Sequence, residues 1–221
     1  AWEFRNGTGS DVVYDLVNGV AASPTGAMST SAGMVFDAAN EQIGFGTVNI
    51  QSTFTMEFYM NYDSNSVGAG NTYSDLTFFT MDTGKSNFQF REMNNYTYNG
   101  KTFIDTFSLY TTGGGGGDDN VLIPGDIHVV LSGVASGTSS SQILYVNGNV
   151  LSSGSLYFTY GNITDMIFGG DSKWINFTLA YFRIYDGTAL SASDVGALYR
   201  SRNVVNHSQL DFHVNNQLSL A

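Results

Sequence analysis

Phe54-Thr55-Met56-Glu57-Phe58-Tyr59-Met60-Asn61 alternates without a break. Phe54, Met56, Phe58 and Met60 fall on one side of an extended chain, and Thr55, Glu57, Tyr59 and Asn61 on the other. A period of two is the signature of a strand with one face in a core; a helix would scatter both sets around its circumference. The reading places the first set in a core and leaves the second on an open face.

Shorter runs of the same kind follow on either side, separated by Gly, Asn, Asp and Ser at intervals of about 10 residues. They are Gly33 to Phe36, Ile43 to Phe45, Leu76 to Met81, Phe88 to Arg91, Thr106 to Thr111, Ile127 to Leu131, Gln142 to Val146, Asp165 to Phe168 and Leu179 to Tyr185. Asn147-Gly148 between two such runs predicts a hairpin, because that pair suits the type I′ turn whose twist matches the strands. One helix is expected, at Ser191 to Arg200: Ser191 caps it, Asp194 completes a capping box, and Val195, Leu198 and Tyr199 form one apolar stripe. The segments Asp63 to Ser74, Asn94 to Lys101 and Gly113 to Asp119 read as loops. The pattern fades after Arg202, so residues 1–202 read as one domain and 203–221 as a tail or connector.

Composition agrees with an all-β chain. Among 221 residues, 12% are charged and 26 are Gly, while 16 Phe, 13 Tyr and 7 Met supply core bulk. The net charge of −11 disfavours phosphate backbones, hence nucleic acid, and suits a neutral sugar, a divalent cation or a basic partner. No cysteine is present, which excludes a disulfide framework, zinc thiolates and a thiol nucleophile. No apolar run reaches the roughly 18 residues of a membrane span, so no membrane insertion is expected. The start at Ala1-Trp2-Glu3-Phe4 shows no signal peptide and reads as that of a processed protein or excised domain. Five N-x-S/T sequons begin at Asn6, Asn95, Asn162, Asn176 and Asn206. The one at Asn176 lies in a strand-like run and is set aside as an acceptor.

The order of these pieces resembles the laminin-G-like, concanavalin A-like jelly roll, a two-sheet antiparallel sandwich with one short C-terminal helix. Gly33-Met34-Val35-Phe36-Asp37 resembles that family's G-L-x-F-D segment, and Phe54 to Tyr59 its F-T-I-E-A-W strand. Ile127-His128-Val129-Val130-Leu131 is similar to H-V-A-V-T, and Leu144-Tyr145-Val146-Asn147-Gly148 to L-Y-V-D-G. Phe182-Arg183-Ile184-Tyr185-Asp186, then Ala189-Leu190-Ser191 and Ala197-Leu198-Tyr199, resembles V-R-I-Y-D-R-A-L-S followed by A-L-Y. The resemblance spans about residues 2 to 202 and implies an extracellular, cell-surface or virion-surface setting.

Function is less constrained, because one fold hosts many activities. A retaining glycosidase needs two carboxyls about 5 Å apart. The E-x-D-x-x-E strand of β-glucan-cleaving relatives is reduced here to the lone Glu57, so no catalytic residue is assigned and no enzyme activity is expected. His128, His207 and His213 lack a nucleophile elbow to serve. The resemblance implies Ca²⁺ near the chain ends through Asp15, although Ala180-Tyr181 stand where relatives carry an acidic pair. Asp37 with Asn40 and Glu41, or Asp118 with Asp119 and Asn120, are further candidate calcium ligands, as oxygen-rich turns suit a hard cation. Acids in turns also act simply as turn formers.

Sugar binding needs aromatic platforms beside amides and carboxylates. Glu57, Tyr59, Asn94, Tyr96, Tyr98 and Trp174 are the candidate ligand-binding residues, and Asn6, Asn95, Asn162 and Asn206 the candidate glycosylation sites. The leading expectation is a non-catalytic carbohydrate-binding or adhesion module whose partner is a glycan or glycoprotein. A structural subunit contacting neighbouring subunits of an extracellular or virion-surface assembly is the second, and a glycoside hydrolase or polysaccharide lyase the third.

Overall fold

A computed structural model describes residues 1–5, 13–14, 19–62, 76–82, 87–93, 96–98, 101–103, 106–111, 120–121, 125–136, 139–157, 160–163, 165–169 and 176–202. In chain order the strands are β1 Trp2–Glu3, β2 Val13–Tyr14, β3 Ala21–Thr25, β4 Met28–Thr30, β5 Gly33–Phe36, β6 Gln42–Phe45, β7 Val48–Ile50 and β8 Thr53–Tyr62. Next come β9 Leu76–Asp82, β10 Asn87–Met93, β11 Tyr96–Tyr98, β12 Lys101–Phe103, β13 Thr106–Thr111 and β14 Asn120–Val121. Then follow β15 Gly125–Ser136, β16 Ser139–Val146, β17 Asn149–Tyr157, β18 Gly161–Ile163, β19 Asp165–Gly169 and β20 Phe177–Asp186, and the helix α1 Ala192–Ser201.

The strands form two antiparallel eight-stranded sheets. The first runs β17-β16-β15-β8-β20-β5-β4, with β1 also beside β20, and the second β14-β13-β10-β9-β19-β6-β3-β2. Their facing sides meet through aromatic rings. Phe58 of β8 meets Phe168 of β19 edge-on at 5.4 Å, and Phe79 of β9 lies 5.6 Å from Phe182 of β20. Phe54, Met56, Phe58 and Met60 are all sealed in this core, as their spacing demands, and Leu144 joins them while Ile184 packs half-buried at its rim. The side chains of Phe88 and Phe90 lie outside the described residues.

β20 changes partner midway. Phe177 to Leu179 pair with β5, and Tyr181 and Phe182 pair with β1, with a bulge between Leu179 and Tyr181. Gly33 makes the handover possible: a β-carbon there would stand 2.3 Å from the Leu179 carbonyl oxygen, and its φ of +142° suits glycine.

The expected hairpin joins β16 to β17, with positive φ at both Asn147 (50°) and Gly148 (78°). The helix starts where its cap predicts. Ser191 Oγ accepts from the Asp194 amide and the Asp194 carboxylate accepts from the Ser191 amide, at 3.3 and 3.1 Å.

Two expectations need correction. The segment Asn94 to Lys101 is not all loop, since Tyr96–Tyr98 pairs with Lys101–Phe103 in a two-stranded ribbon; two sparse polar runs can still pair when they lie close in sequence. The outer face of β8 is not open either. Thr55, Glu57 and Tyr59 are buried, and of that set only Asn61 is exposed. The chain after β20 folds back over them. Thr55 Oγ1 donates to the Thr188 carbonyl and accepts from the Leu190 amide, and Val195 of α1 packs with Val130 and Tyr145. Alternation identifies two faces; it does not say that a later segment will cover the second.

Because Phe58 is 1% exposed and ringed by aromatics, Phe58→Ala should cost about 3–5 kcal/mol in denaturant unfolding. An unchanged midpoint would show that the register assigned to β8 is wrong.

Candidate functional site

Glu57 lies in the middle of β8, opposite Val130 of β15 and Arg183 of β20. Its carboxylate is fully buried. The same alternation that orders β8 orders β20, so Tyr181, Arg183 and Tyr185 share one face and converge on it. Glu57 Oε1 accepts from His128 Nε2 and from the Tyr181 hydroxyl, each at 2.8 Å. Oε2 accepts from the Tyr185 hydroxyl at 2.6 Å and from Arg183 Nη1 at 3.4 Å. The Arg183 guanidinium also lies 3.9 Å over the Tyr181 ring.

Burial alone would raise the Glu57 pKa. The His128 hydrogen bond, the Arg183 and His128 charges and the Tyr185 hydrogen bond outweigh it and bring the value down to about 2. An ionised carboxylate only accepts, so His128 carries its proton on Nε2. Burial, with the Glu57 charge next, pushes the Tyr181 and Tyr185 phenols up, so both stay neutral donors. The carboxylate is closed off from solvent by these donors. The cluster is a buried ion pair that fixes three strands.

An accessible cleft lies further along the same sheet, with a volume of about 310 Å³. Arg5, Ala32, Tyr59, Asn61, Asp126, Thr178 and Ala180 line it. Asn61 and Asp126 are cross-strand partners on β8 and β15, and Asn61 Nδ2 donates to Asp126 Oδ1 at 2.9 Å. Burial first, then a hydrogen bond to Asp126, raises the Tyr59 phenol to about 12. Arg5 brings positive charge to the wall, but its guanidinium is already engaged. Nε and Nη2 grip the Glu3 carboxylate at 2.7 and 2.9 Å, and Nη1 donates to the Arg202 carbonyl at 3.3 Å. The cleft therefore offers a tyrosine, an amide, a hydroxyl and an exposed carboxylate.

Of the sequence-expected ligand residues whose side chains are described, Glu57 and Tyr59, only Tyr59 borders this cleft. Glu57 is sealed behind it, which corrects its expected place on an open concave face. The strand β11 holds Tyr96 and Tyr98, whose side chains lie outside the described residues, as do Asn94, Trp174, Asp15, Asp118 and Asp119.

Asp37 is exposed, but Glu41 beside it is engaged: its Oε2 accepts from the amides of Asp37 and Ala38 at 2.6 and 2.9 Å. Among the described residues no three acidic or histidine side chains converge as metal ligands. The Asp37 turn by itself does not fit Ca²⁺, which needs six or more oxygens.

Asn162 is exposed on β18, with its Oδ1 accepting from Asn49 Nδ2 at 2.8 Å. Asn176 has its Oδ1 buried without a hydrogen-bond partner among the described residues. Asn6, Asn95 and Asn206 lie outside the described residues, with the tail 203–221.

Sequence reading missed Arg5, Asp126 and Thr178, which come from three separate segments. Asn61 was on the correct face, but nothing in its neighbourhood announced Asp126 as its partner. The Tyr181-Arg183-Tyr185 alternation was legible and points at whatever β20 pairs with.

No family model and no curated protein matches the chain. Solved structures do. Trypanosoma rangeli sialidase in complex with sialic acid superposes with a TM-score of 0.68 at 15% identity, over 93% of this chain and 33% of the sialidase. The same sialidase as its difluorosialic acid covalent intermediate gives a TM-score of 0.69 at 14% identity, over the same shares. The exoplasmic/lumenal domain of VIP36, bound to Ca²⁺ and Man3GlcNAc, gives 0.49 at 8% identity, over 77% of this chain and 86% of that one. The chain thus spans about a third of the sialidase's length, and at this identity the likeness is one of β-sandwich fold.

The Glu57 pKa sets an acid limit. A carboxyl held near 2 when folded, against an ordinary 4.5, contributes about 3 kcal/mol that is complete above pH 4.5 and lost as pH falls through 2. Glu57→Gln should cost about 3–5 kcal/mol at neutral pH, since Arg183 and His128 lose their buried partner. It should also flatten the fall in stability between pH 4.5 and 2. Equal acid sensitivity in both proteins, followed by circular dichroism, would refute this role.

Proposed function

We propose that this chain is a non-catalytic carbohydrate-binding module of an extracellular or surface protein, and that the cleft beside Tyr59 takes a neutral sugar. The observation that carries the reading is the Tyr59, Asn61, Asp126 and Thr178 lining on a stiff sheet. Sugar hydroxyls pair with planar amides and carboxylates, and the apolar face of a sugar ring rests on aromatic surface. The laminin-G-like, concanavalin A-like resemblance of the sequence supports the same reading. Glycosylation at exposed Asn162 would suit such a setting.

Neutral rather than acidic sugars fit, even though a sialidase shares the fold. Recognition of a sugar carboxylate calls for a free guanidinium fork, and the donors of Arg5 are directed to Glu3 and Arg202. Asp126, exposed at the other wall, repels an anionic ligand.

Catalysis is not part of the proposal. Two-carboxylate glycoside hydrolysis places both acids at the scissile bond, whereas Glu57 is the lone acid of β8 and is buried among its own strand neighbours. Polysaccharide turnover that Glu57→Gln removes, in a variant still folded, would overturn that view.

Titration calorimetry against neutral and sialylated oligosaccharides, with calcium and with chelator, tests the site. Neutral glycans should bind, and Asp126→Ala should weaken them about tenfold or more, the worth of one charge-assisted hydrogen bond. Trp174→Ala and Tyr98→Ala test whether those aromatics contribute. Silence across the whole glycan set would favour the structural-subunit reading instead.

A further inference from the structure

Between Asp126 and Asp165 the sequence holds no Asp, Glu, Lys or Arg, in a chain whose net charge is −11. This stretch builds β16, β17 and nearly all of β15, so the gap in charge becomes a neutral flank of the first sheet; it also holds β18, which pairs with β7 apart from that sheet. Its exposed side chains are unusual as well. Met28, Val134, Ile143, Val150 and Tyr160 are the large hydrophobic side chains left exposed among the described residues, and all but Met28 lie in this stretch.

Register brings two of these, Val134 and Ile143, onto one face. Ile143 stands opposite Ser132 of β15 and Ser153 of β17, while Ser141 stands opposite Val134 and Ser155. Val134, Ser141, Ile143, Ser153 and Ser155 are all exposed, so the outer face beyond α1 is flat, small and uncharged.

At the border of this flank runs β17, Asn149–Tyr157, nine residues long. It pairs with β16 on one side, and among the described residues no strand pairs with the other. Exposed strand edges are normally guarded against pairing by lysine, proline, inward charge or a bulge. β17 has no lysine, proline or charge, and its one register shift, opposite Leu144 and Tyr145, leaves Ser152 to Tyr157 in unbroken pairing.

We infer that the free edge of β17 is where a second copy of this chain docks, β17 antiparallel to β17, so that two eight-stranded sheets run on across a two-fold axis. The same surface serves both partners in such a contact, so the strand must be complementary to itself. A chain at −11 repels its own copies over most of its surface, and only a charge-free flank lets two copies close without burying acids. A basic partner would be drawn to the acidic remainder of the molecule instead.

Sedimentation velocity over a concentration series, at low and at high salt, tests the inference. The expected result is a reversible dimer that tightens with salt, because salt screens the long-range repulsion and no ion pair lies in the contact. Ser153→Lys with Ser155→Lys places like charges across the two-fold on exposed positions, and should weaken the dimer about tenfold or more. If that double variant lost its native circular dichroism, Ser153→Lys alone would serve. A monomer throughout the series, a dimer indifferent to these lysines, or a dimer loosened by salt would each overturn the proposal.

Discussion

The carboxylate of Glu57 dictates much of how the first sheet is arranged. It stands in the middle of the central strand, has no access to water, and must find its donors within the protein. They arrive from two strands, His128 from β15 and Tyr181, Arg183 and Tyr185 from β20. A slip of one residue in either pairing would turn those side chains to the aromatic core and leave a buried charge unmatched, at a cost of several kcal/mol. Hydrophobic alternation on β8 fixes which face is inside. The ion pair fixes which residues of β15 and β20 stand beside it.

That polar cluster also explains the covering of the outer face. Enclosure keeps water from competing for the carboxylate. The chain after β20 supplies part of the enclosure, with Leu190 hydrogen-bonded to Thr55 and Ser132 and the α1 stripe set over Val130 and Tyr145. The β16–β17 hairpin completes the fit. Asn147 exchanges hydrogen bonds with the His128 backbone, and Gly148 lies under the Tyr199 ring, where a β-carbon would come within 3.1 Å. The cap at Ser191, the glycine at position 148 and the histidine at position 128 thus serve one packing arrangement. The face expected to be a broad binding surface is largely consumed by it, and the smaller cleft at Asn61 and Asp126 stays open.

Charge is distributed as unevenly as polarity. Three cations near the chain ends are occupied internally: Arg5 by Glu3 and the Arg202 carbonyl, Arg183 by Glu57, and Arg202 by the Tyr199 carbonyl at 2.6 Å with its guanidinium 3.9 Å over that tyrosine ring. Acids such as Asp126 stay exposed. Free negative charge therefore meets solvent at the cleft while the flank from 127 to 164 carries none, which separates a surface suited to polar neutral ligands from one suited to close protein contact.

The sequence by itself determined the sandwich. Alternation at Phe54 to Met60, the Asn147-Gly148 turn and the Ser191 cap are local signals, governed by the geometry of a strand, a turn and a helix end within a few residues. They were legible because the interactions that enforce them are short-range, and the structure places the hairpin and the helix where these signals set them. The fate of the outer face was decided only in three dimensions. Glu57 and Tyr59 had the right type and spacing for an open polar face; His128 of β15 and the side chains of β20, distant in sequence, bury them. The cleft likewise joins Arg5, Asn61, Asp126 and Thr178, and among the described residues the sheet ends at β17. Burial, pairing partners and edges are properties of long-range register, and no pattern along one strand encodes which strand will lie beside it.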